Sequence, residues 1–138
     1  MPIQFQNDYD MVDYAEGLRE NCCSAFAGIL QAMCKEERGK QLMRPYLAPI
    51  WHLIIQVATA RPACSDQLCA SALGLVGDML IAFGVEVIQA AESEQVLSLM
   101  SKCRRSKNSK AKTVANWVTR EAARVKRTMN GQQSHPAA

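Results

Sequence analysis

Six cysteines and two histidines are the residues here best suited by type to do chemistry, and their spacing argues against it. A cysteine nucleophile needs a base within hydrogen-bond reach. The available pairing is Cys23 with His52, and nothing in the sequence positions one against the other; His135 lies close to the C-terminus. No glycine-rich phosphate loop follows a strand, because no strand pattern is present. Cys22, Cys23, Cys34, Cys64, Cys69 and Cys103 lack the paired CxxC spacing of a zinc site, and a chain this long and apolar is no disulfide scaffold. They read as small apolar packing residues in a reducing compartment. The expectation is no catalysis, no cofactor and no metal.

The other candidate chemistry is charge. Between Asp8 and Glu20 there are five acids (Asp8, Asp10, Asp13, Glu16, Glu20) against Arg19 alone, and between Lys102 and Arg127 ten bases against Glu121 alone. The basic stretch Arg104–Arg127 has the clustered Lys and Arg that phosphate contacts require. It has no aromatic besides Trp117 for stacking single strands, and no helix-turn-helix or zinc pattern. A basic nucleic-acid-binding helical module is therefore the lesser alternative.

What positions these charges follows from length and pattern. A chain of 138 residues, 49% hydrophobic and 21% charged, suits one unit that buries roughly two-thirds of its unfolded surface. The longest uncharged stretch, 45–60, holds two prolines and His52 and is too short to span a bilayer, and no signal-peptide pattern is present. A soluble intracellular protein is expected.

The apolar period is helical. Met11, Tyr14, Leu18, Cys22, Ala25, Phe26, Ile29, Leu30 and Met33 recur at three- and four-residue steps, predicting a helix from Asp8 to about Lys35 with Gly39 after its charged end. A second helix begins near Pro45–Pro49 and stops at Arg61-Pro62, since proline is tolerated only in a first turn. A third runs from an N-cap at Ser65 to Gly84, followed by pieces over 85–90 and 93–103. A last amphipathic helix covers about 111–129, and 130–138 reads as a flexible tail.

The chain also resembles itself. A shift of 46 residues lays Cys23 on Cys69, Gly28 on Gly74, Ile29 on Leu75 and Met33 on Met79, and the same shift lays Ile50 on Val96, Leu53 on Leu99 and Ile54 on Met100. A shared offset across two helices marks a helix–turn–helix unit of HEAT or armadillo size. The fold expected is all-α: a HEAT-repeat solenoid segment over 1–129, with repeats at about 8–60 and 65–103 and a capping helix at 111–129. Gly28, Gly74 and Gly77 cost roughly 1 kcal/mol each inside a helix, which predicts close helix crossings there.

NDYDMVDYAEGLRENCCSAFAGILQ, SALGLVGDMLIAFGVEV and CRRSKNSKAKTVANWVTREAARVKR then resemble, in order and with compatible spacing, the C-terminal HEAT repeats of the importin beta (karyopherin) family of nuclear-import receptors. The resemblance runs from Asp8 to about Met129 and implies part of a longer receptor. It implies a non-enzymatic, protein-binding segment that helps hold the basic importin-beta-binding helix of importin alpha. Nucleoporins and Ran GTPase would be met through the full-length receptor, in cytoplasm, nucleus and nuclear pore, with no membrane partner. A generic HEAT-repeat scaffold is the plainer alternative.

Carried over residue by residue, the resemblance implies that Trp117 faces the adaptor's basic helix, where an indole under a cation is worth about 0.5–2 kcal/mol. Glu121 lies one turn further on. Glu86, Glu92 and Glu94 fall on the expected inner side, and Asp78 on the expected outer side, where a binding role is less apt. The basic C-terminal third is the departure, because a face that holds a basic helix should be acidic. Without an upstream repeat, the apolar face around Met11, Tyr14 and Phe26 is expected to be exposed and to drive self-association.

Overall fold

Ser65 starts the central helix. Its backbone is extended and its hydroxyl accepts a hydrogen bond from the Leu68 N–H at 3.2 Å, supplying one of the donors a helix start leaves unpaired. In the computed structural model, which describes residues 8–134 with side chains from 10 to 131, this helix spans Asp66–Phe83 and Gly84 closes it at φ +54°. It is α4 of a helical series. Before it come α1 (Asp8–Met33), α2 (Glu37–Met43), a 3-10 turn at Arg44–Tyr46 and α3 (Leu47–Thr59). After it come a second 3-10 turn at Gly84–Val87, α5 (Ile88–Ala91), α6 (Glu94–Arg104) and α7 (Ser109–Ser134). Ser93 caps α6 as Ser65 caps α4, accepting from the Val96 N–H at 3.4 Å.

The helices form two rows. α1, α4 and α7 pack side by side, α3 packs on α6, and both α3 and α6 pack on α4. This is the repeat predicted from the 46-residue shift, with α7 standing as the first helix of a third unit. Leu68, Ala72, Leu73, Leu75, Val76, Met79 and Leu80 of α4 have no exposed surface, because neighbours cover most sides of that helix. The segment Asp66–Ala91 is apolar and long enough to cross a membrane by composition, with a mean hydropathy of 2.0. Most of it is buried inside this bundle, so the apolarity is that of a core helix.

Several expected boundaries move. The first helix ends at Met33 rather than near Lys35, and Gly39 lies inside α2 rather than marking a stop. Gly39 is there because α2 folds back onto the end of α1, where a Cβ would overlap the Met33 carbonyl. The last helix is longer than 111–129 at both ends. Asn108 caps it, its side-chain oxygen accepting from the Lys110 N–H (2.9 Å) and the Ala111 N–H (3.4 Å). At the far end the helix continues through 130–134, part of the expected tail; 135–138, with His135, lie outside the described residues. Of Gly28, Gly74 and Gly77, only Gly77 meets a close neighbour, the ring of Trp117; Gly28 and Gly74 face open space.

Candidate functional site

The cysteines take structural places. Cys23, Cys64, Cys69 and Cys103 are buried, Cys22 and Cys34 half-buried, and all six are free thiols. Burial pushes the Cys23 and Cys103 thiols up to about 12, which keeps them protonated and poorly nucleophilic at neutral pH. His52 is exposed and shares a hydrogen bond with Gln56 on its own helix at 3.0 Å.

Trp117 is half-buried on α7, its ring against the backbone of Gly77 on α4. It lines a groove of about 340 Å³ with Ala27 and Gln31 of α1, Ser71 and Asp78 of α4, and Lys110 and Val114 of its own helix. That groove lies in the row of α1, α4 and α7, and it holds one carboxylate and one ammonium. Burial raises the Asp78 carboxyl above its ordinary value, opposed by the hydrogen bond that Gln31 Nε2 donates to it at 3.4 Å. The folded state thus favours neutral Asp78. Its contribution to stability is full below the ordinary carboxylate range and lost as pH rises through the raised value. Asp78→Asn should accordingly raise the melting temperature at pH 7 and make little difference near about pH 3. Equal shifts at both pH values would contradict this.

The glutamates are mostly engaged already. Glu86 takes a two-pronged hydrogen bond from Arg44, 2.9 Å to Nη2 and 3.1 Å to Nε, which holds its carboxyl below the ordinary value. Arg44 also lies 3.5 Å from Glu37 and 5.8 Å from the centroid of the Phe83 ring. Glu121 pairs with Arg124 at 2.9 Å, and Glu92 pairs with Lys126. Glu94, exposed in the first turn of α6, has no ion pair among the described residues.

Glu92 and Lys126 close one end of a second groove, about 270 Å³, between α6 and α7. Leu97, Met100, Ala122 and Ala123 line it, with Arg104 and Thr119, hydrogen-bonded to each other, among its walls. Glu94 stands one turn before Leu97, which is 49% exposed. Trp117 and Glu92 therefore line different grooves, and the five residues named from the sequence do not converge on one surface. Periodicity missed the α6–α7 groove, although the exposed apolar Leu97 on a polar face was a signal for it.

Comparison with known proteins fits this two-row architecture. The family described as importin subunit beta-1-like, TPR repeats, matches residues 1–105. The chain belongs to that family. Importin subunit beta-1 of Schizosaccharomyces pombe is 30% identical over 122 residues, 87% of this chain and 14% of that protein. A crystal structure of importin beta in an ammonium sulfate condition superposes with a TM-score of 0.77 at 25% identity, over 85% of this chain and 14% of the other. The chain thus spans about a seventh of the length of these relatives. Although the family description names TPR repeats, the 46-residue offset exceeds the 34-residue TPR unit and fits the HEAT solenoid of importin beta.

Proposed function

We propose that this chain is a segment of a nuclear-import receptor, shuttling between cytoplasm and nucleus, that helps hold the basic importin-beta-binding helix of importin alpha. The observation carrying the reading is the likeness to importin beta in both sequence and fold. Locally, the α6–α7 groove offers an apolar floor with Glu92 and Glu94 beside it, a fit for an amphipathic basic helix that lays an apolar side chain on Leu97 and a cation on Glu94. A cation that reaches Glu86, Glu92 or Glu121 must displace Arg44, Lys126 or Arg124, so those three acids serve specificity and rate of encounter more than affinity. Trp117 lines the other groove, on the far side of α7, so its ring would meet a cation only in a second, separate contact with the adaptor. Nucleoporins and Ran would engage the receptor beyond this segment, and catalysis has no part in the reading.

The test is titration of a labelled importin-beta-binding peptide, at two salt concentrations, into the wild-type chain, Trp117→Ala and Glu94→Lys. Saturable binding at low salt, weakened about tenfold (about 1.4 kcal/mol) in each variant, is the expected result. Glu94 has no ion pair to lose, so its variant keeps the fold even where loss of the indole loosens it. No binding at low salt, or equal binding by all three proteins, refutes the reading.

A further inference from the structure

The edge of the solenoid where α6 turns into α7 carries charge that nothing else in the fold balances. From Gln95 to Arg120 the sequence has seven bases and no acid. Lys102, Arg104, Arg105, Lys107, Lys110 and Lys112 crowd its middle, and among the described residues none lies within ion-pair distance of a carboxylate. Arg44, Arg124 and Lys126, by contrast, each hold one. Three carboxylates at the same end of the fold are engaged elsewhere: Glu16 accepts from the Ser65 N–H, Glu20 from the Gln67 amide and Asp66 from the Ser106 hydroxyl. The repeat itself does not require these bases. Shifted back by 46 residues, Lys102, Arg104, Arg105, Lys110 and Lys112 fall on Gln56, Ala58, Thr59, Cys64 and Asp66. The equivalent connection, from α3 to α4, thus forms with Arg61 as its one base. Lys110 and Lys112 even stand in the first turn of α7, where the helix dipole disfavours cations.

Two of the bases open onto a cavity. A space of about 160 Å³ lies between the ends of α3 and α6 and the start of α4, walled by Val57, Ala60 and Leu99, with Ser98, Lys102 and Arg105 as its donors. Lys102 Nζ donates to the Cys64 carbonyl at 2.6 Å, which fixes the ammonium at the cavity wall. Arg105 is exposed, and its backbone is set by a bond from its N–H to the Ser101 carbonyl at 3.2 Å. Buried Ser106, tied to Asp66 and accepting from the Asn108 N–H at 2.9 Å, holds the connection beside it. The cations are therefore placed before any partner arrives. Ser98, Lys102 and Arg105 lie on a different face of α6 from Leu97 and Arg104, so this cavity is separate from the α6–α7 groove.

We infer that this edge docks an acidic stretch of a partner polypeptide, which seats one Asp or Glu side chain in the cavity between Lys102 and Arg105 and lays its neighbours along Lys107 and Lys110. The walls select this occupant. The methylene stem of a glutamate meets Val57, Ala60 and Leu99, while its carboxylate takes the guanidinium fork of Arg105 and the ammonium of Lys102. Lys107 lies in the connection and Lys110 lines the Trp117 groove beyond it, so the cations lead an extended chain from the cavity across the edge. A nucleic acid uses less of this surface: its phosphates would meet the cations, but no aromatic side chain borders the cavity for its nucleobases to stack on. The partner is opposite in sign to the adaptor's basic helix, so the inference stands apart from that reading.

Fluorescence anisotropy tests this, with labelled deca-glutamate titrated by the full 138-residue chain at about 0.1 M salt and labelled deca-thymidylate as the nucleic-acid probe. Saturable binding of deca-glutamate is expected, about fivefold or more tighter than that of deca-thymidylate. Arg105→Glu should weaken it about twentyfold, because a carboxylate then stands where the partner's carboxylate must sit. Arg120→Glu makes the same change of charge about 15 Å along α7 from Lys110, beyond the screening distance, and should weaken it less than about twofold. Both arginines are exposed, so an unchanged circular dichroism melt for each variant shows that the fold persists. Equal losses in the two variants would reduce the site to diffuse net charge and overturn the inference. Binding that does not saturate, or deca-thymidylate held as tightly as deca-glutamate, overturns it too.

Discussion

Gly39→Ala should lower stability by about 3 kcal/mol or more, among the largest effects of any single methyl in this chain. The added Cβ would occupy the place of the Met33 carbonyl oxygen and crowd the Met33 carbonyl carbon and Cα as well. Those are backbone atoms at the last turn of α1, and they cannot rotate aside as a side chain can. Relief requires α2 to lift from α1, which uncovers Met43, a buried member of the core, and moves Arg44 behind it. Urea unfolding followed by circular dichroism measures the loss. Gly28→Ala is the control within the same repeat, since its Cβ meets nothing within 4 Å on an exposed helical face. That variant should gain about 0.5–1 kcal/mol from helix propensity alone. Similar losses in both variants would show that the α1–α2 contact does not limit stability.

Gly77→Ala should cost about 2 kcal/mol, and the cost should depend on Trp117. A Cβ at 77 would run into three carbons of the indole ring. The ring packs beside Val114 against the core, so relief needs the indole to turn about its side-chain bonds and give up that packing, or α7 to shift from α4, the most extensive helix contact among the described residues. Truncating the ring instead should remove the conflict. Trp117→Leu alone destabilises by leaving space, yet in that background Gly77→Ala should cost well under 1 kcal/mol. The resulting coupling of about 1–2 kcal/mol is what residues in direct contact show. Additive effects would mean that the clash is relieved elsewhere. On the proposed reading the pair also bears on binding, because the same displacement would turn the exposed part of the indole out of line with a cation. Gly77→Ala should therefore weaken the importin-beta-binding peptide without removing any group that touches it.

The helices were legible where one local signal sufficed. Ser65 and Ser93 are followed by apolar runs of the right period, and Gly84 and Arg61-Pro62 end their helices as residue types that stop helices. The repeat was legible because apolar positions 46 residues apart keep their size: Cys23 and Cys69, Ile50 and Val96, and Leu53 and Leu99 are buried in both copies, while Ile29 and Met33 are exposed where Leu75 and Met79 are buried. Two elements were misplaced for the same reason. Gly39 and Asn130 look like helix ends, yet Gly39 is retained for space against Met33, and α7 continues through Asn130 and Gly131 to Ser134. The site was far less legible. That Glu86 is tied to Arg44, Glu92 to Lys126 and Gly77 to Trp117 depends on residues 34 to 42 positions apart, which no local period reports.

Arg44 sits at the junction of the two repeats, reaching back to Glu37, forward to Glu86 and across the Phe83 ring. Mechanically this is a clasp between successive turns of a coil, on the edge where the first repeat's connection meets the 3-10 turn of the second. A coil pinned at one edge flexes by opening at the other, so thermal bending of this segment should pivot on Arg44. The clasp is ionic and open to solvent, so added salt slackens it while the apolar contacts of α4 stay as tight as before. On the proposed reading, the spacing between the acids that a partner would span should therefore shift with ionic strength.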